Sequence, residues 1–215
     1  MRSTGLSAGD WQVITQYIRV LQPLKDATMR LEGRGKSGQY GALYEVIPTF
    51  EHVLRYYEEL IEEYQEVDFN EIDAPEDHLV INLKAAWKKA QKYWEKIDDS
   101  PAYYAATTLY PYLKNYCDNA WRDRPEWLAN LNARFQRLWS EYKAKAPYTS
   151  PPRKKLKTSG IQDLIDQYAQ PAEEDVDIDE YQRWRKEPPL PKDYQHSIDP
   201  IAYWLSLKQQ YPNLS

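Results

Sequence analysis

The chain has 215 residues, with 7 Gly, 15 Pro, 8 Trp, 19 Tyr and a formal net charge of −5 at pH 7. So little Gly disfavours a β-rich fold with many tight turns, and the acidic balance excludes a protein that coats nucleic acid with its whole surface. The single cysteine, Cys117, excludes an internal disulfide and a cysteine-rich zinc module. No stretch approaches the roughly 20 apolar residues of a membrane span, and the N-terminus lacks the apolar run of a signal peptide. We therefore expect a soluble, intracellular protein with no membrane partner.

The first predicted helix begins at Ser7, because Ser7 and Asp10 have the spacing of a capping box with Asp in place of the usual Glu. Pro23 predicts a kink, since proline removes a backbone donor and crowds the preceding turn. Gly33 is expected to end the helix. The apolar residues recur at steps of three or four and are expected to share one face, with the tryptophan in the core: Trp11, Ile14, Ile18, Leu21, Leu24 and Leu31.

Two further helices follow. The second carries a continuous apolar stripe and contains Pro48, which again predicts a bend. The third is expected to open near Pro75, a favourable first-turn residue, and to present a basic outer face at Lys84, Lys88, Lys89 and Lys92. The periodic apolar residues of these two helices are Leu43, Val46, Ile47, Phe50, Val53, Leu54, Tyr57, Leu60, Ile61, Tyr64, Leu79, Leu83, Ala86, Trp87, Ala90, Trp94 and Ile97.

Two more helices complete the predicted main domain. Ser100 followed by Pro101 is a helix-start signal, and this short helix must break near Pro111. Another start at Pro125 leads into an apolar series that includes Trp127 and Trp139. Five amphipathic segments without a convincing strand predict an all-α fold, with a helical domain over residues 1–145.

A linker is predicted over residues 146–176, because Pro and Ser surround a basic run and an acidic stretch follows it. The run PPRKKLK at 151–157 has the form that a nuclear import receptor reads, a compact set of cations in an extended segment. A solvated charge cluster is the alternative interpretation, and DNA contact is a further use of the same charges. The residues concerned are Arg153, Lys154, Lys155 and Lys157.

The C-terminal tail, residues 177–215, is predicted to contain two short helices separated by prolines. Its apolar side chains are too few to form a core of their own, so they need another surface, either the helical domain or a second chain. The residues predicted to make these contacts are Tyr181, Trp184, Ile201, Tyr203, Trp204 and Leu205.

No arrangement of residues predicts catalysis, a cofactor, a metal or a small-molecule substrate. His52, His78 and His196 have no ligand-spaced partners, and Cys117 fits a buried structural thiol better than a nucleophile. Adjacent carboxylates such as Glu58 and Glu59 diverge by about 100° on a helix and solvate it. The sequence GRGKSG at 33–38 lacks the earlier Gly and the preceding strand of a phosphate loop.

Several segments resemble the helical stretch of eukaryotic hAT (hobo/Activator-type) transposases. These are residues 6–11 (LSAGDW), 21–33 (LQPLKDATMRLEG) and 41–48 (GALYEVIP). Residues 100–106 (SPAYYAA) with 109–111 (LYP) are similar to the family's next landmark, in which His commonly precedes the Pro, whereas this chain has Tyr110.

The tail also resembles this family. Residues 179–181 (DEY), 187–189 (EPP) and 199–204 (DPIAYW), closing on 211–215 (YPNLS), are similar to the start of its C-terminal dimerisation region. Family members hold Mg²⁺ with two Asp and one Glu in an RNase H-like core, and a helical insertion lies between the second Asp and the Glu. The resemblance implies that this chain begins after both Asp positions and stops before the Glu.

The sequence therefore predicts a non-catalytic, truncated hAT-type transposase fragment, located in the nucleus. Its expected activity is protein association, with itself or with a full-length transposase of the same family. The alternative function is a DNA-binding accessory module that uses residues 153–157 and the basic face at 84–92 for weak contact with phosphates.

Overall fold

The computed structural model describes residues 5–32, 43–68, 70, 78–145, 179–194 and 198–215. The all-α prediction is confirmed: these residues form eight α-helices and two 3₁₀ helices, and no strand occurs among them. None of the helices in this part of the chain is long and apolar enough to cross a membrane. The α-helices are α1 (Ala8–Leu31), α2 (Val46–Glu63), α3 (Leu79–Ile97), α4 (Pro101–Leu109), α5 (Tyr116–Ala120), α6 (Pro125–Lys145), α7 (Glu180–Lys186) and α8 (Pro200–Ser206).

The chain divides into two compact units, Met1–Phe135 and Gln136–Ser215, and the boundary falls within α6. The linker predicted at residues 146–176, which includes the basic run at 153–157, lies outside the described residues. The 3₁₀ helices are Leu43–Glu45 in the first unit and Lys192–Tyr194 in the second.

The core of the first unit is formed by α1, α2 and α3. Tyr57 of α2 and Leu79 and Leu83 of α3 are almost completely buried, as the periodicity of these helices predicted. The guanidinium of Arg19 on α1 binds the carboxylate of Glu63 on α2 at 2.8 Å. The cluster consists of Val20, Val53, Tyr57, Leu60, Tyr64, Leu79 and Leu83.

The predicted buried face of α1 is wrong. Trp11, Ile18 and Leu21 are each more than half exposed, whereas Val20 and Pro23 are buried. The reason is that α1 has apolar residues on more than one side, and periodicity does not tell which side its neighbours cover. Leu24 is also exposed, and Ile14 and Leu31 are partly buried.

The helix starts follow the capping signals. Ser7 caps α1 with the full capping box, in which the Ser7 hydroxyl accepts from the Asp10 amide and the Ser7 amide donates to the Asp10 carboxylate. The hydroxyl of Ser100 accepts a hydrogen bond from the amide of Ala102, ahead of α4. Pro48 was expected inside the second helix, but it is the third residue of α2. In this first turn its missing N–H removes no helical hydrogen bond. The described part of α3 begins at Leu79, and Gly33 and Pro75 lie outside the described residues.

A second buried region surrounds α4. Ile47, Tyr104 and Thr107 are almost fully buried there, and the Thr107 hydroxyl donates to the backbone carbonyl of Tyr44 at 3.1 Å. The rings of Tyr44 and Tyr110 stack with centroids 3.9 Å apart and an interplanar angle of 3°. Cys117 is buried as well, as the interpretation of a structural thiol requires.

The predicted core tryptophans differ in burial. Trp139 is buried, and Trp87 and Trp94 are partly buried. Trp127 is exposed against expectation. It lies in the first turn of α6, where the guanidinium of Arg124 lies 4.4 Å from its ring centroid.

Candidate functional site

The C-terminal unit contains all six residues that the sequence predicted to make tail contacts. Asp179 fixes the start of α7, because its Oδ1 accepts hydrogen bonds from the amides of Tyr181 at 2.7 Å and Gln182 at 3.2 Å. Its Oδ2 accepts from the indole N–H of Trp139 at 2.6 Å, and the ammonium of Lys143 lies 4.0 Å from the same oxygen. One carboxylate thus caps α7 and joins it to the C-terminal part of α6.

An aromatic cluster holds α8 against α7. Trp184 is fully buried, and its ring lies 5.0 Å from that of Trp204, centroid to centroid. The indole N–H of Trp184 donates to the hydroxyl of Tyr203 at 3.0 Å, and burial raises the pKa of the Tyr203 phenol. Tyr181 is also buried, with its ring 6.4 Å from that of Trp184. These four predicted contact residues therefore anchor the tail within its own unit.

A polar network fixes the last residues of the chain. The hydroxyl of Tyr211 donates to the carboxylate of Glu187 at 2.5 Å, and the carboxylate of Glu180 accepts from the backbone N–H of Asn213 at 2.9 Å and from its side-chain amide at 2.7 Å. The guanidinium of Arg183 lies 5.0 Å from the Tyr211 ring centroid. Burial and the Glu187 carboxylate raise the pKa of the Tyr211 phenol. No local sequence signal predicts this network, because the accepting carboxylates of Glu187 and Glu180 are 24 and 33 positions from their donors Tyr211 and Asn213.

Two of the six predicted contact residues remain on the surface. Ile201 is 53% exposed and Leu205 is 59% exposed. They are four positions apart in α8, so their side chains are neighbours on one side of the helix. Tyr203, on the opposite side of α8, and Trp204, beside the pair, are partly buried in the aromatic cluster. The packing of α8 against Trp184 of α7 thus leaves the apolar pair Ile201 and Leu205 exposed to solvent.

A polar site in the first unit was not anticipated from the sequence. The carboxylate of Glu51 on α2 accepts hydrogen bonds from the hydroxyl of Tyr116, at 2.5 Å, and from the indole N–H of Trp121. The site opens into a groove of about 840 Å³ that His52 and Arg124 also line. Because Glu51 is 65 and 70 positions from its two donors, no local motif could have identified it.

The chemistry of this polar site is that of a structural anchor. Both carboxylate oxygens of Glu51 are engaged by neutral donors, and burial, followed by the bond to Glu51, raises the pKa of Tyr116. Among the described residues, no group of three or more His, Cys, Asp or Glu side chains is placed to bind a metal ion.

Comparison of the chain with family models, with curated proteins and with solved structures finds no match.

Proposed function

We propose that this chain is a non-catalytic protein-association segment of a hAT-type transposase, which pairs with a second copy of itself through α8. The separation of the tail's aromatic and aliphatic residues supports this function. Tyr181 and Trp184 serve as buried anchors, whereas Ile201 and Leu205 are displayed to solvent. Burial of an exposed leucine or isoleucine side chain stabilises an interface by roughly 1.5–3 kcal/mol.

A small contact of this kind gives weak association. A two-residue patch on a seven-residue helix covers far less area than the roughly 800 Å² per partner of a stable complex. We therefore expect concentration-dependent dimers in the micromolar range, not an obligate dimer. A full-length transposase of the same family, carrying the same tail, would bind the same face.

A second apolar face supports association as the function of the first unit too. On α1, the exposed residues Trp11, Ile18 and Leu21 and the partly buried Ile14 follow steps of three and four, the spacing of a coiled-coil seam. Clusters of exposed apolar side chains commonly mark protein interaction sites.

Disulfide trapping tests the α8 contact. In the single variants Ile201→Cys and Leu205→Cys, mild oxidation should produce a covalent dimer, because paired copies bring these positions together. Gln182→Cys places a solvent-exposed thiol on α7 and serves as the control. Equal cross-linking of all three variants would indicate random collision and would count against the proposed contact.

DNA binding through α3 is the alternative function. Lys84, Lys88, Lys92 and Lys96 are exposed at four-residue steps and form a basic stripe along the helix. Phosphate contacts by such a stripe would weaken steeply with added salt. In a gel-shift assay, binding that is lost with Lys84→Glu and Lys88→Glu and with rising salt would favour this function over association alone.

Nuclear location is part of the proposal. It is supported by the sequence of the basic run at Arg153, Lys154, Lys155 and Lys157, which lies outside the described residues.

A further inference from the structure

An apolar groove of about 740 Å³ lies in the first unit, between α1, α2 and α3. Its walls include Leu24 and Leu31 of α1, Phe50 and Val53 of α2, and the small residues Ala86 and Ala90 of α3. The volume is within the range of about 300–1,000 Å³ that is typical of pockets for small molecules.

Two hydroxyl groups on the α2 side of this groove lack hydrogen-bond partners. Thr49 and Tyr57 both line the groove, and they are 7% and 1% exposed. Among the described residues, neither Oγ1 of Thr49 nor the phenolic oxygen of Tyr57 finds a partner. A buried hydroxyl without a partner lowers stability, and native proteins contain few of them.

The two hydroxyls belong to one stripe of α2. Thr49, Val53 and Tyr57 are spaced by four residues, so they follow one another along the same side of the helix over about 12 Å. This stripe therefore provides an apolar wall with a buried, unpartnered hydroxyl oxygen near each end. A few placed polar groups in an apolar wall are what orients a bound small molecule.

The charged residues of the groove have opposite signs. Glu32 and Lys89 both line it and both are solvent-exposed. The ammonium of Lys89 lies 5.3 Å from the centroid of the Tyr93 ring, another residue of the wall. Because one anion and one cation balance each other, the groove favours an uncharged ligand over a charged one.

We propose that this groove binds an uncharged, mostly apolar small molecule that carries oxygen hydrogen-bond acceptors. The ligand's apolar body packs against Val53, Ala86 and Ala90. Its oxygen atoms accept from the hydroxyls of Thr49 and Tyr57, which small side-chain shifts bring into reach. The molecule is bound and not converted, and the site is independent of the association face on α8.

Nile red is a suitable probe, since it is uncharged, apolar and carries a carbonyl oxygen, and its fluorescence reports on an apolar environment. Titration of the full chain should give saturable binding with one site. Ala90→Phe fills the groove and should weaken binding at least tenfold, with circular dichroism unchanged. If Ala90→Phe does not fold, Ala86→Val reduces the same space with a smaller side chain.

Two further variants make the test specific. The double variant Thr49→Val with Tyr57→Phe removes both hydroxyls at nearly constant volume and should weaken binding roughly three- to tenfold for each hydrogen bond lost. Ile18→Ser, on the exposed face of α1, should leave the affinity unchanged. The proposal would be overturned if Ala90→Phe bound Nile red with wild-type affinity, or if Ile18→Ser lost binding. If the double variant Thr49→Val with Tyr57→Phe bound with wild-type affinity, the two hydroxyls would have no part in binding.

Discussion

Trp139 donates its indole N–H to Asp179 across 2.6 Å, although the two residues are 40 positions apart. The same aspartate caps α7 through the amides of Tyr181 and Gln182. The contact thus joins the last long helix to the tail and starts the helix that carries the buried Trp184. The Asp179 side chain therefore both caps α7 and fixes it to Trp139 of α6.

Asp179→Ala should destabilise the C-terminal unit by about 2 kcal/mol. The cap is worth typically 0.5–2 kcal/mol, and the buried indole N–H of Trp139 would lose its acceptor. Asp179→Asn is the matched comparison, since Asn also caps helices and offers an oxygen, and it should lose less than half as much. Hydrogen exchange of the α7 amides, with urea unfolding, measures both variants. Wild-type protection in Asp179→Ala would mean that the carboxylate does not hold the tail.

Tyr57→Phe should raise the stability of the first unit by about 1 kcal/mol in the absence of ligand. The phenolic oxygen is buried without a partner, so its removal relieves a desolvation cost. The neighbouring Tyr56→Phe should have the opposite sign, because the Tyr56 hydroxyl donates to the backbone carbonyl of Arg19 at 3.1 Å. Thermal unfolding of the pair tests this difference. A loss of stability in both variants would show that the Tyr57 hydroxyl does have a native partner.

Stability should fall between pH 10 and pH 12 because of Tyr110. Burial, with the neighbouring Tyr44, raises the pKa of Tyr110 from 10.0 to about 12. The folded state therefore holds this proton more tightly than the unfolded state, and its contribution is complete below pH 10 and is lost as the pH rises through that interval. The loss at this residue is of the order of 2 kcal/mol. Urea unfolding across the interval should show a shallower fall in Tyr110→Phe, and identical slopes would contradict the assignment.

Arg153, Lys154, Lys155 and Lys157 should drive nuclear accumulation. Their simultaneous change to Ala in a fusion too large for passive entry should leave the protein in the cytoplasm, because the import receptor reads the clustered charges. Changing Lys84, Lys88 and Lys92 to Ala removes a similar charge from a helix and should leave the location unchanged. An unaltered nuclear signal in the first variant would rule this segment out.

Local chemistry made much of the fold predictable. The caps at Ser7 and Ser100 and the period of α2 identified helix starts and the burial of Val53 and Tyr57, because these signals act within a few residues. The outward face of α1 at Trp11 could not be predicted in the same way. That outcome depends on which side of a broadly apolar helix its neighbours cover.

The candidate sites were less predictable than the helices. The aromatic residues of the tail were identified by composition, but their separation into buried Trp184 and exposed Leu205 depends on how α8 packs. The bonds of Glu51 to Tyr116 and Trp121 join residues 65 and 70 positions apart. A single sequence contains no signal for pairs so distant.

Equilibrium sedimentation of the intact chain across a concentration series tests the central claim, self-association through α8. The wild-type chain should pass from monomer to dimer in the micromolar range, and the double variant Ile201→Glu with Leu205→Glu should raise the dissociation constant at least tenfold, because carboxylates on both sides of the contact repel. Gln182→Glu adds a carboxylate at an exposed position of α7, outside the α8 contact, and should associate like the wild type. A wild-type chain that remains monomeric at every concentration, or a double variant that dimerises as the wild type does, would contradict the account.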